Sequence, residues 1–222
     1  MENIFITGAT GYIGTRLIKA LLKKGTCRIT ALVRKGSEKK LPAGCEMIIG
    51  DALDARSYQD HIAPASTLIH LIGVAHPSPA KKEQFRNIDL VSVQEAAQAA
   101  THARVKHFIY LSVAMYPAKI MKDFQESRAR GEVLLNQSGL RTSFIRPWYV
   151  LGPGHWWPVL LKPFYFIARL VPSKKEAALH LDTVTIHQMI NTLVFAATRP
   201  PAEKQYYEVA DIKKGPRAQV NK

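Results

Sequence analysis

The stretch Thr7-Gly8-Ala9-Thr10-Gly11-Tyr12-Ile13-Gly14 constrains this chain more than any other. An apolar run, Ile4-Phe5-Ile6, precedes it. An amphipathic run from Tyr12 to Lys24 follows, with Ile13, Leu17, Ile18, Leu21 and Leu22 on one face. That order reads as strand, tight glycine turn, helix. Glycine lets the backbone turn sharply and come close to a phosphate, because no Cβ intervenes. The N–H groups of the helix's first turn then face the anion. In this context the three glycines point to a dinucleotide pyrophosphate site. Its expected contacts are Gly8, Thr10, Gly11, Tyr12, Ile13 and Gly14; a glycine turn with no ligand is the bland alternative.

The chain then alternates. Strands are predicted at 28–33, Glu46–Ile49, 67–72, His107–Leu111 and Thr142–Ile145, with a final one at 205–209. Helices are predicted at 82–101, about 118–137 and 185–198, with Asp182 the acid placed to cap the last or to line the loop beside it. Such alternation implies an α/β fold, a Rossmann-like doubly wound parallel sheet with helices on both faces. The expected organisation is a dinucleotide-binding domain over 1–154, a small C-terminal substrate or lid segment over 155–212 packed on it, and a basic, mobile tail over 213–222. The segment 156–175 is aromatic and basic. Its apolar residues do not separate to one face and three prolines interrupt it, which favours a substrate lid over peripheral contact with an acidic membrane.

Strand ends carry the remaining candidates, since ligands gather there in open α/β sheets. A residue about 20 positions beyond the glycines selects the cofactor: an acid holds the ribose of NAD, whereas an arginine accommodates the 2′-phosphate of NADP. Arg34 stands 20 residues beyond Gly14, with Lys35 and Ser37 beside it. NADP is therefore expected over NAD, against the alternative of a solvated basic loop. Asp51 ends the third strand, where it can accept from an adenine amino group, cap the next helical stretch, or both. Ala52, Leu71, Gly73 and Pro147 complete the expected cofactor contacts. His70 reads as a half-buried strand histidine rather than a catalyst, and His76 as a loop residue within reach of a ligand.

The net charge of +14 favours anionic partners without choosing among phosphates, nucleic acid and acidic lipid. No nucleic-acid motif accompanies it, so nucleic acid is not favoured. No apolar run is long enough to span a bilayer. The N-terminal strand lacks the features of a signal peptide, so a cytoplasmic setting is expected. Cys27 and Cys45 form no CxxC pair and read as reduced thiols, a disulfide being the alternative. No metal site is expected.

Taken together, these features resemble the short-chain dehydrogenase/reductase superfamily in its atypical and extended branches, the epimerase and NmrA-like kind. The residues that carry the resemblance are Thr7 to Gly14, Gly50-Asp51, Leu111-Ser112, and Ile145-Arg146-Pro147 followed by Gly152-Pro153-Gly154. In active members a serine follows the fifth strand, and a Tyr-x-x-x-Lys pair on the next helix supplies the acid/base and the ribose contact. The resemblance implies Ser112 as that serine. It puts Phe124 where the tyrosine is expected and Arg128 where the lysine is expected. Phenylalanine cannot donate a proton, whereas Arg128 keeps a charge and a fork for ribose or phosphate. Tyr116 is the candidate surrogate acid. The catalytic candidates are thus Ser112, Tyr116 and Arg128, with Trp148, Tyr149, Trp156 and Trp157 lining the cleft or packing as core. The function implied is an NADP(H)-binding oxidoreductase-like protein, transferring hydride to or from a small, partly apolar substrate. The alternative is a catalytically silent NAD(P)(H)-binding sensor or accessory protein.

Overall fold

A computed structural model describes residues 2–63, 65–117, 121–154 and 180–215 of the chain. The strands are β1 (Glu2–Thr7), β2 (Cys27–Val33), β3 (Glu46–Ile49), β4 (Thr67–His70), β5 (His107–Leu111), β6 (Thr142–Ile145), β7 (Tyr149–Leu151), β8 (Thr183–Thr185) and β9 (Lys204–Tyr207). The principal helices are α1 (Tyr12–Lys24), α2 (Val91–His102), α3 (Lys122–Gln137), α4 (Ile186–Thr198) and α5 (Val209–Lys214). Seven strands form one parallel sheet in the order β3-β2-β1-β4-β5-β6-β9; β7 and β8 pair separately, also in parallel. The strand order reverses between β1 and β4, and the crevice above that switch point is where such sheets take ligands.

The central strands are apolar on both faces because helices cover both. Successive side chains point to opposite sides. Ile4, Ile6, Ile29, Ile69 and Ile109 therefore pack against α1 and α4, while Phe5, Leu68, Phe108 and Phe144 pack against α2 and α3. α1 ends where Gly25 takes φ 66° and donates its N–H to Leu22 O, with Lys23 and Lys24 in the last turn. The β2–β3 crossover holds only a 3-10 turn at Glu38–Lys40, so among the described residues no helix covers that edge, and Met47 and Ile49 are exposed.

Several boundaries differ from the sequence reading. β4 stops at His70, because the carbonyl of Ile72 is bound by Arg128 instead of a neighbouring strand. The helix predicted over 82–101 is composite: Lys82–Gln84 is α, Phe85–Leu90 is π, and α2 follows. Asp182 does not cap α4. Thr185 does, in a reciprocal capping box with Gln188, while Asp182 accepts from the Thr183 N–H and pairs with Lys213. Val209 opens α5 rather than ending a strand, and Lys213 and Lys214, assigned to the tail, close that helix. Residues 180–212 also do more than pack on the domain. β9 is the seventh strand of its sheet, and α4 is part of its core.

Two histidines are buried inside the sheet. His70 Nδ1 lies 2.8 Å from Thr7 Oγ1 and its Nε2 3.3 Å from Ser92 Oγ. His107 Nε2 lies 2.9 Å from Ser143 Oγ. Burial, aided by the Arg128 charge, pushes His70 down from 6.5 to about 3; burial and Arg141 push His107 down to about 4. Both folded values lie below the ordinary value, so the unfolded chain takes up these protons first. Stability should be full above pH 6.5 and fall as the pH drops toward 4, by about 2 kcal/mol for each histidine at pH 5. Urea unfolding at pH 7 and pH 5 measures this; equal stabilities at the two would contradict it.

Candidate functional site

The glycine turn is as tight as its composition demands. Gly8 takes φ 75°, and a Cβ there would lie 2.8 Å from the Leu71 carbonyl carbon. A Cβ on Gly14 would lie 2.3 Å from Gly8 O. Gly11 donates its N–H to Gly8 O at 3.1 Å and accepts from Thr15 N at 3.0 Å. Gly11 is the N-cap of α1 and brings no side chain to it, and the first turn holds no acid. The first N–H groups of a helix have no acceptor within it, so this end of α1 is left for an anion. A dinucleotide pyrophosphate fits the cradle: a Cβ on Gly8 or Gly14 would collide with backbone, so only glycines hold this tight turn, and all three line the cleft.

The turn opens on a cleft of about 590 Å³. Of the residues expected at the site, Gly8, Gly11, Tyr12, Ile13, Gly14, Leu71, Gly73, Ser112, Arg128 and Pro147 line it. So do Phe124, Trp148 and Tyr149, and the exposed loop residue His76. Burial pushes the Tyr149 phenol above its usual range, which keeps it protonated. Thr10, Arg34, Lys35, Asp51, Ala52 and Tyr116 are not among the lining residues. Arg34 and Lys35 are exposed just beyond β2. Asp51 closes its own turn, accepting from Leu53 N at 3.0 Å, and Asp54 rather than Asp51 caps the following 3-10 turn Ala55–Ser57. Ala52 packs on the α2 side of the sheet. The Tyr116 ring stacks on His180, centroids 5.2 Å apart. Trp156 and Trp157, like the rest of the predicted lid between 155 and 179, lie outside the described residues.

The helix expected to carry the catalytic pair is α3, and it is used differently. Phe124 is part of the cleft wall and packs on Phe85 at 5.1 Å. Arg128 is buried, 4% exposed; both its Nη atoms are committed to the protein, while Nε is buried without a hydrogen-bond partner. Nη1 donates to Leu111 O at 2.9 Å and to Ile72 O at 3.2 Å, and Nη2 lies 3.2 Å from Asp89 Oδ2. Asp89, fully buried, accepts from Val74 N at 2.7 Å. Burial pushes its carboxyl up, against the opposing pull of Arg128. A Cβ at position 73 would sit 2.1 Å from Arg128 Nη2, so any larger residue there would displace the guanidinium. Arg128 thus ties the ends of β4 and β5 together at the cleft floor instead of standing free for a ribose or phosphate.

Ser112 is also engaged. Its hydroxyl donates to Glu132 Oε1 at 2.6 Å, within the protein interior. Glu132 is gripped by Arg146 through both Nε and Nη2, and Arg146 Nη1 reaches Glu208 at 2.6 Å. Two turns nearer the start of α3, Gln125 Nε2 donates to Ala114 O at 2.6 Å and to Tyr116 O at 2.7 Å, fixing the loop after β5. Asp89, Gln125 and Glu132 escaped the sequence reading. The available signal was the stripe Gln125, Arg128, Glu132 and Leu135: spacings of three, four and three put three polar residues on the face that a core helix normally makes apolar.

Among the described residues no three or more His, Cys, Asp or Glu side chains cluster to hold a metal, and no helix is long and apolar enough to cross a membrane. Cys27 and Cys45 are unpaired thiols.

A doubly wound sheet with a glycine turn at the N-terminus of its first helix, open to a cleft at the switch point, defines a dinucleotide-binding protein. The chain belongs to the NAD(P)H-binding family, whose sequence pattern matches residues 8–153. Its homologues lie in the short-chain dehydrogenase/reductase and NAD-dependent epimerase superfamily. A UDP-glucose 4-epimerase from Vibrio cholerae is 23% identical over 239 aligned residues, covering 95% of this chain and 71% of the epimerase. Sterol demethylase protein B of Methylococcus capsulatus is 24% identical over 177 residues, 70% of this chain and 54% of that protein. The chain thus spans little more than half of that second relative. The enzyme WbmH of Bordetella bronchiseptica, solved with NAD+, has the same fold: TM-score 0.71 at 20% identity, covering 96% of this chain and 78% of that one.

Proposed function

We propose that this NAD(P)-binding protein is an oxidoreductase-like protein that binds NADP(H) and acts on a small, partly apolar substrate. The observation that carries the reading is the uncapped start of α1, framed by Gly8, Gly11 and Gly14 and facing a cleft with Phe124, Val113, Trp148 and Val150 in its wall. Gly8, Gly11, Tyr12, Ile13 and Gly14 would hold the pyrophosphate. Leu71, Gly73, Ser112 and Pro147 would border the nicotinamide half, with Arg128 holding the floor beneath it. The nicotinamide, when bound, supplies the two-electron chemistry; the chain contributes orientation and an apolar wall that limits water.

The preference for NADP rests on Arg34 and Lys35, both exposed beyond β2 and able to reach a 2′-phosphate. Arg34→Ala is expected to weaken NADPH binding about tenfold and leave NADH binding within about twofold, the worth of a charge-assisted contact at an exposed site. Titrations with both cofactors measure this; equal losses for the two would remove the preference. A cytoplasmic setting belongs to the same proposal, supported by the two unpaired thiols.

A second reading, a binder without turnover, is favoured by one observation: neither position of the expected acid/base pair holds a free titratable group. Phe124 is apolar, and Arg128 spends Nη1 on two backbone carbonyls and Nη2 on Asp89, with its Nε buried. Assaying NADPH oxidation over a panel of carbonyl compounds and quinones separates the two readings. Measurable turnover supports the first; tight NADPH binding with no oxidation by any member supports the second.

A further inference from the structure

We infer that the cleft recognises a hydrogen-bond donor at Ser112, a ligand hydroxyl in preference to a carbonyl, because Glu132 takes the serine's only proton. The inference rests on the proposed reading that cofactor and substrate share this cleft. Arg146 donates from two guanidinium nitrogens to Glu132, one to each carboxylate oxygen, so both oxygens meet their neighbours as acceptors. A carboxylate only accepts hydrogen bonds. The 2.6 Å contact between Ser112 Oγ and Glu132 Oε1 therefore runs one way, from serine to glutamate. The other donor of Ser112, its backbone N–H, is used as well, by Ile145 O at 2.8 Å.

What remains at Ser112 is a pair of hydroxyl lone pairs on a residue that lines the cleft. Such a group accepts from an alcohol O–H or an amide N–H. A carbonyl offers no proton and would have to draw the serine away from Glu132. That carboxylate is 6% exposed, so losing a charge-assisted bond there is costly. Arg128, in the cleft wall, does not substitute as the donor, since Nη1 serves Ile72 O and Leu111 O, Nη2 pairs with Asp89, and Nε is buried. Glu132 acts through Ser112 and is a positioning residue. The outcome is a reversal of polarity: a serine placed to donate to a substrate oxygen is held as an acceptor by the residue behind it.

The test uses the full chain saturated with NADP+, with cyclohexanol and cyclohexanone as matched probes and affinities from ligand-observed NMR titrations. The alcohol should bind about tenfold tighter than the ketone, the discrimination that one charge-assisted hydrogen bond supports. Ser112→Ala should bring the two within about twofold. Glu132→Gln, if it folds, should shift the preference toward the ketone, because a side-chain amide can turn its NH2 to the serine and free the hydroxyl proton. If that variant does not fold, the parent and Ser112→Ala comparison decides alone. A ketone that binds the parent as tightly as the alcohol overturns the inference, and so does binding of neither. Cofactor affinity is read in the same samples. Failure to bind a dinucleotide refutes the reading of the cleft itself, whereas normal cofactor binding without an alcohol preference refutes only the role given to Ser112 and Glu132.

Discussion

Gly14→Ala is expected to weaken dinucleotide binding at least about a hundredfold. The new methyl would lie 2.3 Å from Gly8 O and 2.8 Å from Ala9 O, both backbone atoms that no side-chain rotation can clear. The turn must move, and the first-turn N–H groups lose the alignment that serves an anion. Stability should change far less. Overpacking costs roughly 1–3 kcal/mol, and alanine returns about 1 kcal/mol of helix propensity at this position. A fluorescence titration with NADPH, read beside a thermal melt, separates the two effects. An affinity within about threefold of the parent's would show that the turn does not set the site.

Arg128→Met should be the most destabilising substitution at the cleft. It leaves Asp89 buried with no cation and leaves the carbonyls of Ile72 and Leu111 without their donor. Removing one partner of a buried pair costs about 3–5 kcal/mol, which for a chain of this length is a fall in Tm of roughly 10 °C. The double variant Arg128→Met with Asp89→Asn should recover more than half of that loss. The amide is neutral and its oxygen can still accept from Val74 N, the bond that Asp89 Oδ1 makes at 2.7 Å. A single variant that loses under about 1 kcal/mol, or a double variant no better than the single, would mean that the pair is not the clamp of the β4 and β5 ends.

The fold was largely legible because its signals are local. Strand, glycine turn and amphipathic helix succeed one another within the first 24 residues, and each is set by neighbours in the chain. The cradle of the site was legible for the same reason, since Gly8, Gly11 and Gly14 act through their own backbones. The boundaries that failed were decided by distant partners. β4 is cut short by a guanidinium that reaches Ile72 from 56 residues on. α5 begins at Val209 because Glu208 and Asp211 cap it reciprocally, a pattern easily passed over in a polar C-terminal stretch.

By itself the sequence determined that the chain would fold as a doubly wound sheet, that its first helix would meet an anion, and that Phe124 would hold no proton to give. Spacing and side-chain chemistry suffice for each. Only the tertiary structure decided what Ser112 and Arg128 can still do. A hydroxyl and a guanidinium read from sequence keep all their hydrogen bonds in hand. Folding brings Glu132, 20 residues away, and Asp89, 39 residues away, against them in a buried setting. An ion pair or charge-assisted bond formed there is not exchanged for water. Chemistry available in the chain is thereby committed in the fold, whereas the glycine turn acts through its own backbone N–H groups and needs no distant partner.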